Sequence, residues 1–129
     1  MAMAGESADL YKVRNRETLR RLDTGMEITR ATKHEPIAFD SLSNEELRDC
    51  TDSRSGSKFL AEWTLAQLTD WTEQQVRLRG WRFPPGVQAA VRFQMPRPVG
   101  YVKGKLVRTI TIFASGRYVH AFPDEDQDG

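Results

Sequence analysis

The sequence predicts an α+β fold: a mostly antiparallel sheet with helices packed on one face and the other face open and basic. Three observations lead there. Val87, Ala89, Val91 and Phe93 alternate with Gln88, Arg92 and Gln94, the period-two pattern of a half-buried strand. Leu60, Trp63, Leu68, Trp71 and Leu78 recur near helical spacing. Nine basic residues and no Asp or Glu lie between Val76 and Phe122, and a short acidic run follows them.

The elements follow in order along a chain whose 129 residues fit one domain. Residues 1–8 are small and polar and read as a disordered N-terminus, residues 9–123 as the single domain, and residues 124–129 as an acidic tail. Asp9 can cap a surface helix to about Leu22, with Leu10, Val13 and Leu22 as a thin apolar stripe. Asp23-Thr24-Gly25 stops it. Met26 to Lys33 reads as a strand, with Met26 and Ile28 on one face and Glu27 and Thr29 on the other. Ser43-Asn44-Glu45-Glu46 is a capping box that opens a short helix to about Cys50. A polar loop over 51–57 leads into the main helix, from about Lys58 to Leu78. Gly80 and Pro84-Pro85-Gly86 end it.

The remainder reads as a β-meander. A strand from Val87 to Gln94 is followed by a long strand from Tyr101 to Phe113, bent at Gly104. On that strand Ile110 and Ile112 face one side, while Lys105, Thr109 and Thr111 face the other. Ala114-Ser115-Gly116 makes a hairpin turn, and Arg117 to Phe122 returns as an edge strand closed by Pro123.

Several classes of function find no support. No apolar run approaches the ~18 residues of a membrane span. Met1 to Glu6 lacks the basic start and apolar stretch of a signal peptide, so the expected location is the cytoplasm, or nucleus, of a host cell. The single cysteine, Cys50, excludes an internal disulfide and a multi-cysteine zinc site. His34 and His120 lack metal-ligand spacing, and neither a nucleophile elbow nor a P-loop is present. The chain is therefore expected to be no enzyme, with no catalytic residue, metal or cofactor.

The basic run suits an anionic partner. Like charges in a folded segment repel one another unless a partner neutralises them. Arg and Lys can neutralise phosphates, and Thr109, Thr111 and Ser115 can exchange hydrogen bonds with phosphate oxygens or 2′-hydroxyls. A base-reading DNA protein would more often present a helix to the major groove. Double-stranded RNA is thus the expected partner. Trp63 and Trp71 read as core. Gly80-Trp81 has two readings: an anchor for the turn, favoured by its structured flanks, and a hook for Argonaute-type pockets.

The order strand, Trp-bearing helix, strand pair carries two short stretches. One runs from Trp71-Thr72 through Val76 and Arg82-Phe83 to Val91-Arg92-Phe93. The other is Thr109-Ile110-Thr111-Ile112 beside Ser115-Gly116. Over residues 25–118 this resembles the RNA-silencing suppressors of plant tombusviruses and aureusviruses, and looks most like the shorter aureusvirus form. The resemblance implies a homodimer that sequesters small interfering RNA duplexes on a continuous β-sheet. It implies Arg30, Lys33, Arg92, Lys105, Thr109, Thr111 and Ser115 on the RNA face, with Arg108 and Arg117 beside them. The tombusvirus proteins stack two N-terminal Trp residues on the duplex ends. Here no Trp precedes Trp63, and Tyr11 is the one aromatic left for that role, so length selection should be weak. The acidic tail stands where the family has a further helix. A second reading is a protein-interaction module, such as a phage or bacterial inhibitor or immunity protein, that sets the same basic face against an acidic partner.

Overall fold

The computed structural model describes residues 17–84 and 89–127. In chain order the elements are β1 (Glu17–Arg21), β2 (Glu27–Arg30), a 3-10 turn (Thr32–His34), α1 (Asn44–Cys50), β3 (Lys58–Phe59), α2 (Leu65–Arg79), β4 (Ala89–Gln94), β5 (Gly100–Val102), β6 (Lys105–Val107), β7 (Thr109–Ser115) and β8 (Tyr118–Asp124). They form a five-stranded sheet in the order β1-β2-β8-β7-β4 and a three-stranded sheet in the order β3-β5-β6. Neighbouring strands are antiparallel except β2 and β8, which run parallel. The fold is thus α+β, with mostly antiparallel sheets.

Register turns the alternation of the sequence into one apolar face. Phe93, Val91 and Ala89 on β4 oppose Ile110, Ile112 and Ala114 on β7. Those three oppose Pro123, Ala121 and Val119 on β8, and Val119 pairs with Ile28 on β2. Leu68 and Val76 of α2 pack on this face, and Ile110, Ile112, Ala114, Val119 and Val76 are fully buried. Each such aliphatic side chain larger than alanine stabilises the fold by ~1.5–3 kcal/mol relative to exposure. Arg20 of β1 adds a polar tie to the helix, reaching Asp70 at 2.8 Å and Glu73 at 2.7 Å.

Both helix starts are fixed by reciprocal caps. The Ser43 hydroxyl accepts from the Glu46 N–H while the Glu46 carboxylate accepts from the Ser43 N–H, as the sequence predicts. Thr64 and Gln67 make the same exchange at the head of α2. The helix ends at Gly80 in the left-handed region (φ 67°), with the Trp81 N–H on the Val76 carbonyl at 3.1 Å. Trp81 packs against the core cluster of Met26, Ile28 and Val76.

Five sequence expectations are corrected. The stretch before Leu22 is not all helix: Glu17–Arg21 is a strand, because Gly25 (φ 87°) turns the chain back and the Leu22 N–H bonds to the Met26 carbonyl at 2.8 Å. Residues 1–16, and with them the disordered start and the first part of that helix, lie outside the described residues, as does Val87. The main helix starts at Leu65 rather than Lys58. Lys58 and Phe59 pair instead with Tyr101 and Gly100, so Trp63 precedes the cap while still contacting Phe59 and Trp71. Leu78, placed on the apolar stripe by spacing, is 74% exposed.

The long strand from Tyr101 to Phe113 is three pieces. Lys103 (φ 50°) and Gly104 (φ 78°) form a two-residue hairpin turn with positive φ at both positions, so β5 folds back on β6. Finally, the last strand is not an edge. β8 lies between β2 and β7 and continues through Pro123 to Asp124. Only Tyr118 and Val119 pair with β2, so the proline falls beyond that stretch.

Candidate nucleic-acid interface

Alternation sends the other half of each strand to the face opposite α2. β7 places Thr109, Thr111, Phe113 and Ser115 there; β8 places Tyr118, His120, Phe122 and Asp124; β4 places Arg92. Against this face lie the 3-10 turn that carries His34 and the segment 124–126.

That segment changes the character of the predicted tail. The Thr111 hydroxyl donates to Asp124 Oδ2 at 2.7 Å, and the Arg92 guanidinium reaches the same oxygen at 2.8 Å. One step along the strand, the Thr109 hydroxyl and the Arg108 N–H converge on Asp126 Oδ1 at 2.8 and 2.9 Å. Arg92 also donates to the Glu125 carbonyl, and Lys103 Nζ lies 3.3 Å from Glu125. The acidic run is therefore the end of β8 and a cover for its neighbours. Thr109 and Thr111, expected on an open face, are 5% and 4% exposed. They form two adjacent sites, each with two donors aimed at one carboxylate oxygen.

The remaining predicted residues do not gather on this face. Lys105 is exposed on β6 of the other sheet, because the hairpin at 103–104 and the break at Arg108 separate it from β7. Arg108 turns its guanidinium to the Met95 and Pro96 carbonyls. Arg30 pairs with Glu17 at 3.1 Å and with Glu35. Arg117 sits in the β7–β8 turn, 4.5 Å from the centre of the Phe83 ring and 3.9 Å from Glu27. Lys33 is exposed in the 3-10 turn, and Ser115 is half-buried at the end of β7. Tyr11 lies outside the described residues. Elsewhere in the basic run, Arg77 pairs with Asp23 and Glu73, and Arg79 covers Phe93 from the side of α2. The cations placed here are thus spread over both sheets, α2 and their loops, and Arg92 reaches the centre of the opposite face.

Sequence reasoning missed an aromatic strip on that face. Phe113 and His120 are paired across β7 and β8, with ring centres 5.9 Å apart. Phe122 follows at 5.7 Å from His120. His34 stacks on both, 6.4 Å from His120 and 5.1 Å from Phe122. The signal was present as Tyr118, His120 and Phe122 at every second position. Burial lowers the pKa of His34, and the Ser57 carbonyl 2.8 Å from its Nδ1 opposes that shift. Among the described residues no three His, Cys, Asp or Glu side chains converge as a metal site. No family model, curated protein or solved structure matches the chain.

Proposed function

We propose that this protein binds double-stranded RNA on the sheet face opposite α2, sequestering small RNA duplexes as a suppressor of RNA silencing would. One observation carries the reading. Arg92 with Thr111, and Thr109 with the Arg108 N–H, already hold anionic oxygens at hydrogen-bond distance, supplied by Asp124 and Asp126. A surface built to hold two oxyanions in a row along a strand suits the repeating phosphates of a nucleic acid backbone. The carboxylates stand in for phosphate oxygens and must yield to them. A sheet face without a recognition helix favours backbone and 2′-hydroxyl contacts over base reading, which fits A-form RNA. Among the described residues β1 and β4 are the sheet's two edges, and a second copy paired at one of them would lengthen the face into a homodimer's.

The test is a gel shift with duplex RNA, duplex DNA and single-stranded RNA at two salt concentrations. Duplex RNA should bind best, with little dependence on base sequence or duplex length. Its affinity should fall with a log–log salt slope of about −3 or steeper, as expected when several phosphates are neutralised. No binding of duplex RNA at low salt overturns the reading. Capture of an acidic protein in its place would make the face a protein-docking surface.

A further inference from the structure

Two cavities meet at Glu62, and none of their lining residues belongs to the five-stranded sheet. One, of about 360 Å³, is bordered by Phe39, Asp40, Leu60, Glu62 and Tyr101. The other, of about 580 Å³, is bordered by Glu62, Trp63, Pro96, Arg97 and Pro98. Each falls within the ~300–1,000 Å³ typical of ligand sites. Backbone pairing brings the walls together. Ile37 bridges to Leu60, the Leu60 N–H donates to the Val99 carbonyl at 2.9 Å, and the Trp63 N–H donates to the Leu60 carbonyl at 2.9 Å. That last bond closes a turn that leaves Glu62 exposed where the cavities join, so they form one groove.

The two halves differ in chemistry. In the smaller, the half-buried Phe39 and Tyr101 rings lie 4.6 Å apart with their planes tilted by 57°. Asp40 and Glu62 are exposed beside them, and among the described residues neither carboxylate has an ion-pair partner. Aromatic rings next to unpaired carboxylates attract an organic cation, and the planar guanidinium of arginine stacks on such rings better than an ammonium does. In the larger half, Trp63 contacts Phe59 and Trp71 inward and also lines the groove, with Pro96 and Pro98 exposed in the same lining. Single apolar residues at a surface need no explanation, but a Trp and two prolines continuous with a ring pair form a patch. Aromatic-lined grooves of this kind receive polyproline segments, which are already extended and lose little entropy on docking. Arg97 at this end disfavours a second cation there, which leaves the Phe39–Tyr101 end as the place for a positive charge.

We infer that this groove docks an extended, proline-rich segment of a partner protein that carries one arginine. The prolines lie along Trp63, and the guanidinium sits against Phe39 and Tyr101 beside Asp40 and Glu62. The inference is independent of duplex binding and uses a different surface.

The experiment is fluorescence anisotropy on the full chain without nucleic acid, with three labelled peptides: an arginine followed by a run of prolines, the same run headed by glutamate, and the arginine followed by Gly-Ser repeats. The arginine–proline peptide should bind at least about tenfold tighter than either of the others, since one lacks the cation and the other the preformed extended helix. The double substitution Asp40→Asn/Glu62→Gln changes two exposed side chains and should reduce the preference for arginine over glutamate at least about threefold. A benzophenone on the proline run should photo-crosslink to the unsubstituted protein within residues 60–67 or 95–99, a readout independent of how the variant folds. No binding of the arginine–proline peptide at about 1 mM, the weak end of specific association, overturns the inference. So does equal affinity for the arginine and glutamate peptides, or crosslinking confined to other segments. Competition by free arginine as effective as by unlabelled peptide would make the groove a small-cation site and overturn the docking of a protein segment.

Discussion

Arg92 on β4 reaches across β7 to Asp124 at the end of β8, and Nη1 lies 2.8 Å from Oδ2. The pair is partly exposed, with side-chain accessibilities of 38% and 28%, so solvent screens it and its contribution to stability is small. Its effect on an incoming anion is larger, because a carboxylate on this face both repels phosphate and occupies its donors. The double substitution Asp124→Asn/Asp126→Asn keeps oxygen acceptors for Thr111 and Thr109 while removing two negative charges. It should tighten duplex RNA binding about three- to tenfold at low salt, through one more favourable step of phosphate neutralisation. Fluorescence anisotropy measures this, and an unchanged affinity would show that the segment does not compete.

Arg92 and Arg79 make a matched pair of controls, since one faces the carboxylates and the other covers Phe93 from the side of α2 at 5.0 Å. Arg92→Ala should weaken RNA binding at every sequence tested and reduce the magnitude of the salt slope by about one. Arg79→Ala should change neither. Equal losses from both substitutions would mean that binding follows total charge rather than one face.

The sequence made some of this legible and hid the rest for physical reasons. The cap at Ser43, the stop at Gly80 and the inward set Ala89, Val91 and Phe93 depend on neighbours within a few residues, and all are present in the fold. The insertion of β8 between β2 and β7 depends on pairing across some 90 residues, as in Ile28 with Val119, which no local pattern encodes. Thr64 and Gln67 have capping-box spacing, but an apolar periodicity stretched back to Leu60 concealed them. The basic stretch was legible as composition. Its division between two sheets, α2 and their loops was not, because the turn at Lys103-Gly104 requires a lysine with positive φ. Asp124 and Asp126 read as a tail because their partners, Thr111 and Thr109, become neighbours only when β8 returns along β7.

Lys58 is a structural residue that its position beside a polar loop did not reveal. Its ammonium donates to the carbonyls of Ser55 at 2.7 Å, Gly56 at 2.9 Å and Cys50 at 3.2 Å, closing the loop that follows α1. Burial pulls its pKa below the usual lysine value. Lys58→Met keeps the length of the stem and strands those carbonyls. The expected loss is ~1–3 kcal/mol, the scale of hydrogen bonds to a charged group. Urea denaturation with an unchanged m-value would report it. A variant as stable as the parent would show that the loop is held without it, by the Asp52 carboxylate on the Arg54 and Ser55 N–H groups, the Gly56 N–H on the Asp52 carbonyl and the Ser55 hydroxyl on the Asp49 carbonyl.

His34 gives the fold a pH dependence whose sign can be worked out. Its pKa is lowered from the ordinary 6.5, chiefly by burial, with Lys58 and Lys33 adding to the shift and the Ser57 carbonyl and Asp124 opposing it. The unfolded chain therefore takes up a proton near pH 6.5 while the folded chain still resists it. Where the unfolded state binds more protons, stability rises with pH. The contribution is complete above about pH 6.5 and is lost progressively as pH falls toward the folded value. Glu73, Glu46 and Asp52, whose pKa values are also lowered, act only below the ordinary carboxylate range, so the two windows separate. The denaturation midpoint should fall between about pH 7.5 and pH 5.5, and His34→Gln should flatten that fall. If the variant keeps the full slope, the proton is taken up elsewhere.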